Sequence, residues 1–578
     1  MIHLPRQSVL VTTQTTLLAL PVVLFLLAAW SRRWITDDGF IYLRVVDQIT
    51  RGNGPVFNAG ERVEAFTGPI WLGLLTLVDI SLPWQLTWLT ILLSLVCIGV
   101  GLGLAVAGAA ILARRHAPHA LLAPFGILVP LAMVAAWTFA TSGLESPLVV
   151  AWLGACLFIL ARWATQDRPL PVYGAVLLGL GWLIRPELAV YSALFIVGVL
   201  VMQYRQDSWG ARLRILIAAA ALPAAYQLFR MGYYGTVVAN SAIAKDASDA
   251  NWLLGWLYAS HFASPYWLWL ALLIVLVGGY MPLARGLIQA QARRAVAVAA
   301  LFVAGALLNA LYIIGSGGDW LHGRLLLPAL YALIMPVAVI PLIRAHTLAA
   351  LIIPWVLICA FMLSPRFADD WGQWRSNITL EDYGWHAEGP RLTQFSEDGF
   401  YYDRGFALDF IRIDLPRPAP ELEIPAAAIG GIGASGYALG PDWYLIDLWG
   451  LAEPLTARLI STPPADDAPF PFRLPGHEKP LPTVWLAAMI TEPGSYPDPG
   501  TFPRRDNPLI PETTGETFRQ QIDQARTVLE CPPLKELSDA IRGPLDLRRF
   551  YLNVTGAWSR TWLRIPPDPD QAYEHLCP

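Results

Sequence analysis

Long apolar runs separated by short polar turns fill the first 363 residues of this chain. A bilayer core is crossed by roughly 20 apolar residues in a helix. About eleven runs approach that length, near 11–31, 86–113, 118–139, 147–163, 171–185, 188–204, 212–230, 264–280, 293–314, 325–342 and 347–362. A further apolar stretch, 69–84, is interrupted by Asp79 and Pro83, which predicts a short surface or re-entrant helix. No small-residue cleavage pattern follows the first run, so it reads as retained in the membrane. Past about 364 the pattern turns Pro-, Asp- and Tyr-rich. There Trp443–Leu448 and Thr483–Met489 read as buried strands, and 515–529 and 533–541 as surface helices.

Basic residues orient the runs. Arg114 and Arg115, Arg162 and Arg168, Arg205 with Arg212 and Arg214, Arg285 with Arg293 and Arg294, and Arg344 all fall in alternate short loops. Short loops rich in Lys and Arg stay cytoplasmic. The N-terminus is then inside, and an odd number of crossings places the region after 364 outside. The chain reads as a polytopic α-helical membrane protein. Residues 1–363 form its transmembrane part, and residues 364–578 form a mixed α/β periplasmic domain suited to holding an acceptor.

Composition agrees. The chain is 55% hydrophobic and 15% charged, with mean hydropathy +0.47, where soluble domains carry about 25% charge. A net charge of −4 gives no reason to expect a nucleic-acid partner. Cys97, Cys156 and Cys359 lie in apolar runs and read as small hydrophobes. Cys531 and Cys577 fall in the exported region, where oxidising conditions favour a bridge between them.

The polar motifs share the outer face. Asp37 and Asp38 follow the first run and open an amphipathic stretch, 38–50, expected to lie along the membrane surface. Capping that helix explains one acid well and two less well. A carboxylate there can take a proton from a sugar hydroxyl or hold a divalent ion. Glu64 ends the same loop. Glu145 follows Thr141-Ser142-Gly143 and either caps the next helix or faces a substrate. Arg185 and Glu187 flank Pro186 and either pair together or meet a ligand. Arg230, Tyr233 and Tyr234 open the longest outer loop, where the tyrosines suit sugar stacking or the interfacial aromatic belt. Lys245 offers a point charge for phosphate. Asp319, Trp320, His322 and Arg324 form a dense cluster before an apolar run, suited to a metal, to a phosphate or to a snorkelling Arg with a polar cap. Asp37, Asp38, Asp319 and His322 are the candidate metal ligands.

Gly431-Ile432-Gly433-Ala434-Ser435-Gly436 matches a dinucleotide fingerprint. That fingerprint needs a βαβ setting, and Pro441 comes too soon for a helix, so the segment reads as a flexible turn. No nucleotide cofactor is expected. Asn377 and Asn553 match the glycosylation pattern only.

A transferase on the outer face lacks nucleotides and needs a donor carried by the membrane. Acids for a hydroxyl acceptor and cations for a phosphate leaving group fit such a donor. Several segments carry a resemblance. They are Asp37-Asp38-Gly39, Gly54-Pro55-Val56-Phe57-Asn58 with Gly60-Glu61-Arg62-Val63-Glu64, Thr138–Ser146 and Arg185-Pro186-Glu187. Phe229–Gly235, Ala244-Lys245-Asp246, Gly317-Gly318-Asp319 with His322-Gly323-Arg324, and Gly476-His477-Glu478-Lys479 add to it. Together they resemble the terminal β-(1→2)-arabinofuranosyltransferases of mycobacteria, which are GT-C membrane glycosyltransferases. The resemblance implies transfer of arabinofuranose from decaprenylphosphoryl-β-D-arabinofuranose to the 2-hydroxyl of a terminal arabinofuranose in arabinogalactan or lipoarabinomannan. It implies net retention at the anomeric carbon. The alternatives are another polyprenyl-phosphate-sugar GT-C transferase or a lipid-linked glycan flippase. Charges at helix ends rather than mid-span count against a transport path.

Overall fold

The computed structural model describes residues 6–31, 33–166, 168–204, 208–245, 250–319, 321–342, 345–362, 414–415, 426–429, 431–461, 479–496 and 515–577. Trp320, Asp246, His477, Glu478 and the Asn377 sequon lie outside them. The chain starts with α1 (Arg6–Ser31), α2 (Asp37–Thr50), α3 (Pro69–Ser81) and α4 (Leu86–His116). β1 (Leu122–Pro124), α5 (Leu128–Leu131) and α6 (Val134–Phe139) lead to α7 (Ser146–Thr165). Next come α8 (Val172–Gly179), α9 (Gly181–Ile184), α10 (Ala189–Gln203), α11 (Trp209–Tyr233), α12 (Asn240–Ala244) and α13 (Trp252–Ala263). α14 (Leu268–Ile274), α15 (Met281–Gln289), α16 (Arg293–Gly315), α17 (Leu327–Ile334), β2 (Val339–Pro341) and α18 (Ala345–Met362) complete the apolar part.

Among the described residues, seven helices are long and apolar enough to cross a bilayer: Gln14–Ser31, Leu86–His116, Ser146–Thr165, Pro186–Gln203, Trp209–Tyr233, Leu268–Gln289 and Arg293–Gly315. Three of the expected runs are broken instead. Pro124 and Pro130 divide 118–139, a kink at Leu180 divides 171–185, and Pro336 and Pro341 divide 325–342. Proline removes a backbone donor and clashes with the preceding turn. Two of the broken runs satisfy each other, because β1 pairs antiparallel with β2 in the register Leu122↔Pro341. Backbone groups away from water need such partners. At 13 residues α3 spans about 20 Å, short of a crossing, as expected. Close packing of α4 on α7 depends on glycine. A Cβ on Gly154 would sit 2.1 Å from the Gly101 carbonyl oxygen, so small residues let the two backbones touch.

The C-terminal region contains β3 (Asp414–Leu415), β4 (Ala426–Ile429), α19 (Ile432–Leu439), β5 (Tyr444–Asp447) and α20 (Thr483–Ile490). It ends with α21 (Glu516–Leu529), α22 (Pro532–Arg542), α23 (Leu547–Trp562) and α24 (Pro569–Leu576). β3 pairs antiparallel with β4, and β4 parallel with β5. β5 and the helices α21 and α22 occur where expected. Residues 483–489 are helical rather than extended. Trp485, Leu486 and Ala487 are all buried there, and an apolar run enclosed on every side carries no period to tell helix from strand. Cys531 and Cys577 form the expected disulfide, with a Cα–Cα separation of 5.4 Å. Asn553 is fully buried and donates to the Gly232 and Ala540 carbonyls, so it is no glycosylation acceptor.

The C-terminal region shares its core with the first loop, which follows α1. Phe40, Leu43, Phe57 and Trp71 pack in one cluster with Ile432, Ala434 and Leu445. α2 is therefore enclosed rather than lying on the membrane surface. Even its polar positions Arg44 and Gln48 are buried. The Arg44 guanidinium donates to the carbonyls of Phe57, Gly436, Gly440 and Trp443 at 2.6–3.0 Å. Burial pulls it down to about 9, which leaves it charged at neutral pH.

Candidate active site

A cavity of about 210 Å³ opens where the ends of the apolar helices meet the first loop. Its wall holds four acids (Asp38, Glu145, Glu187 and Asp319) and three cations (Arg185, Lys245 and Arg324). They come from five turns, and glycine shapes two of these turns. Gly317 and Gly318, at φ of 89° and 83°, reverse the chain after α16 and present Asp319. Gly143, at φ of 79°, does the same ahead of Glu145. Only glycine holds this left-handed conformation cheaply.

Two arginines organise the wall. Arg324 Nε donates to Asp319 at 2.5 Å, and its Nη1 donates to Asp38 at 3.1 Å. Arg185 Nη1 donates to Glu145 at 2.8 Å, and its Nε bonds Glu187. Each guanidinium is thus held between two carboxylates. Its planar fork fixes both partners. Lys245, at the end of α12, lines the same cavity with no carboxylate partner among the described residues.

The two adjacent acids part ways. Asp38 faces the cavity. Asp37 turns to the C-terminal region, where its carboxylate accepts the backbone N–H groups of Gly433 at 3.2 Å and Ala434 at 2.8 Å. These groups begin α19, whose unpaired donors attract an anion. Asp37 thus caps a distant helix, not its own. Burial pushes its carboxyl up to about 6 against those two bonds, and the Asp38 charge adds to the rise. The glycine-rich segment 431–436 is therefore the start of a helix and not a flexible turn. Gly433 is needed there, because a Cβ would fall 1.7 Å from the Asp37 carbonyl oxygen.

Other expected residues sit apart. Glu64 and Arg230 form a buried two-pronged pair at 2.6 and 3.1 Å, joined by the Tyr226 hydroxyl at 2.6 Å. They tie α11 to the first loop. Tyr233 stacks on Phe229 with centroids 5.0 Å apart and lies near Arg62, away from the cavity wall. His322 does not meet Asp319. Its Nδ1 lies 2.9 Å from Nδ1 of His261, and Phe262 and Tyr266 flank its ring. Burial holds it well below the usual imidazole range.

The expected metal ligands do not form one set. Arg324 stands between Asp38 and Asp319, Asp37 is occupied by α19, and His322 faces a second histidine. Among the described residues no three His, Cys, Asp or Glu side chains are grouped for an ion. The residues present do not fit a resident divalent cation.

Sequence reasoning missed Tyr42. Its hydroxyl donates to Glu145 at 3.1 Å and accepts from the Gly68 N–H at 2.8 Å. The signal was available, because residues four apart on a helix share a face, and Tyr42 follows Asp38 by four.

A charged cavity at the ends of apolar helices, with ionic groups converging from five turns, marks an enzyme of the membrane. No family model and no solved structure matches the chain. It is 32% identical to the terminal β-(1→2)-arabinofuranosyltransferase of Mycobacterium tuberculosis, over 95% of this chain and 94% of that protein. It is also 32% identical to the Corynebacterium glutamicum protein of the same name, over 95% of this chain and 86% of that one. Such proteins are membrane glycosyltransferases of the pentosyl-transferring kind. This chain belongs to the terminal β-(1→2)-arabinofuranosyltransferase family.

Proposed function

We propose that the cavity transfers arabinofuranose from decaprenylphosphoryl-β-D-arabinofuranose to the 2-hydroxyl of a terminal arabinofuranose in arabinogalactan or lipoarabinomannan. In this reading the chain crosses the bacterial plasma membrane about eleven times, and the cavity and the region after 364 are periplasmic. The observation that carries the proposal is the convergence of Asp38, Asp319, Arg324 and Lys245 on one small cavity beside apolar helices. Its size suits a sugar and a phosphate rather than a long glycan.

The donor is β-configured and the product β-linked, so the anomeric centre is retained. A single in-line displacement would invert it. The proposed route is front-face transfer through an oxocarbenium-like state. The bond from the anomeric carbon to the phosphate oxygen breaks, and a bond from that carbon to the acceptor oxygen forms on the same face. The proton of the acceptor hydroxyl ends on the departing phosphate. Asp38 accepts a hydrogen bond from that hydroxyl and aims it. Lys245 and Arg324 offset the charge that grows on the phosphate. Glu145, positioned by Tyr42 and Arg185, bonds the sugar hydroxyls. No step runs through a metal.

The test is incubation of the full chain in lipid with radiolabelled decaprenylphosphoryl-β-D-arabinofuranose and a synthetic α-linked arabinan. Linkage analysis should find label only at β-(1→2) termini. A different linkage, or lipid-stimulated movement of donor with no glycosidic product, would overturn the proposal.

A further inference from the structure

α23 has three faces, and one of them has no protein against it among the described residues. Its buried face packs on the outer end of α11. There Asn553 bonds the Gly232 carbonyl, Arg560 bonds the Gly235 carbonyl at 2.9 Å, and Thr561 Oγ1 accepts the Val237 N–H at 2.9 Å. A second face is polar and exposed, with Arg548, Thr555 and Ser559. The third carries Leu547, Tyr551, Trp558 and Trp562, which are 90%, 66%, 65% and 47% exposed. At 100° per residue these four fall within an arc of about 60°. A soluble surface rarely presents so continuous an apolar stripe.

We propose that this stripe is a bilayer contact, and that α23 lies in the outer headgroup region as an interfacial anchor for the C-terminal part of the chain. The occupant is lipid because of where the helix is fixed. It is hydrogen-bonded to residues 232–237, at the very end of the α11 span. Other exposed aromatics stand at the corresponding ends of spans: Trp30 at the close of α1, Trp84 just before α4, and Trp252 against Gly315 at the close of α16. Tryptophan and tyrosine gather at that depth because their rings are apolar with a polar edge. The charge pattern agrees. Arg548 borders the stripe, and the Arg564 guanidinium lies 5.8 Å from the Trp562 ring, where both can meet anionic lipid heads. An amphipathic helix of this kind buries its apolar face some 5–10 Å into the headgroup and acyl boundary.

The inference rests on reading α11 as a span and is independent of the sugar chemistry. Its test is a spin-label scan of the full chain in nanodiscs, with labels introduced as Tyr551→Cys, Trp558→Cys and, about 80–100° round the helix from them, Ser559→Cys. Labels at 551 and 558 should show an accessibility to oxygen, relative to a water-soluble nickel chelate, severalfold higher than a label at 559. Equal ratios would place the stripe in water and overturn the proposal. Exclusion of both reagents at 551 and 558 would mean that protein covers the stripe, and would overturn it equally. The unsubstituted protein gives a second reading. A photoactivatable phospholipid should leave adducts on residues 547–562, and their absence beside adducts on α11 would count against the anchor.

Discussion

Asp37 and Asp38 differ by one position and, by the geometry, by their entire role. Replacing each by asparagine separates the two. At Asp37 two opposing terms are altered. Burial holds its carboxyl at about 6, against 3.8 for the free group. That upward shift means the ionised form is disfavoured in the fold, by about 3 kcal/mol at 1.36 kcal/mol per unit. Between these two values the folded chain holds a proton that the unfolded chain has released. Stability from this group is therefore lost as pH rises from about 4 to about 6 and stays lost above that. Asparagine removes the penalty, but its amide can accept only one of the Gly433 and Ala434 N–H groups. One buried donor left without a partner costs about 1–3 kcal/mol. The terms nearly cancel, so Asp37→Asn should stay within about 2 kcal/mol of the parent near neutral pH. It should also lack the parent's loss of stability across the acid window. Asp38→Asn leaves α19 untouched and removes a carboxylate that faces the cavity. Transfer should fall by roughly 10²–10⁴ in Asp38→Asn, and by less than about tenfold, or 1.4 kcal/mol, in Asp37→Asn. The assays are thermal unfolding in detergent across pH, and initial transfer rates to a synthetic arabinan. A stable Asp37→Asn protein as inactive as Asp38→Asn would refute the division of roles.

Three further outcomes follow from the same geometry. Lys245→Gln should raise KM for the lipid-phosphate donor by about tenfold with a smaller change in kcat, since a phosphate contact is worth roughly 1–2 kcal/mol; an unchanged KM would remove Lys245 from the phosphate site. Arg44→Met leaves the Phe57, Gly436, Gly440 and Trp443 carbonyls without their donor, at about 1–3 kcal/mol for each that stays buried. That variant should lose several degrees of unfolding temperature and become protease-sensitive near 436–443. Treatment of the membrane-embedded enzyme with a divalent-ion chelator should leave the transfer rate unchanged, and a loss restored by added metal would contradict the account of the charged wall.

Much of the cavity was legible because of where charge can go in such a chain. Asp38, Glu145, Arg185, Glu187, Asp319 and Arg324 all flank apolar runs, with Lys245 in the long loop between two of them, and groups excluded from the bilayer collect at its ends. Convergence on one face then follows from counting crossings. What stayed hidden was pairing over distance. The acceptor role of Asp37 depends on amides 396 positions away, and no local pattern announces it. The segment 431–436 looked like a loose turn because its partner was not in view. Glu64 and Arg230 looked like site residues because a buried ion pair and a binding pair have the same composition. His322 was misplaced for a similar reason. Its neighbour in sequence, Asp319, serves Arg324, while its neighbour in space, His261, comes from α13. The breaks in 118–139, 171–185 and 325–342 were written in their prolines and glycines, but hydropathy averaged over a window blurs them.

The hydrogen bonds linking the first loop to the carboxy-terminal region run in both directions. Asn58 both donates to and accepts from Leu445, Arg62 donates to the Ala540 and Gly543 carbonyls, and Arg542 bonds Glu61. Severing the chain near 364 would orphan donors on one piece and acceptors on the other. Neither piece is then a foldable module, and a hybrid joining the amino-terminal part of one homologue to the carboxy-terminal part of another would inherit mismatched ends. The smallest transplantable unit is a discontinuous one: the carboxy-terminal part together with residues 37–64 and 232–243.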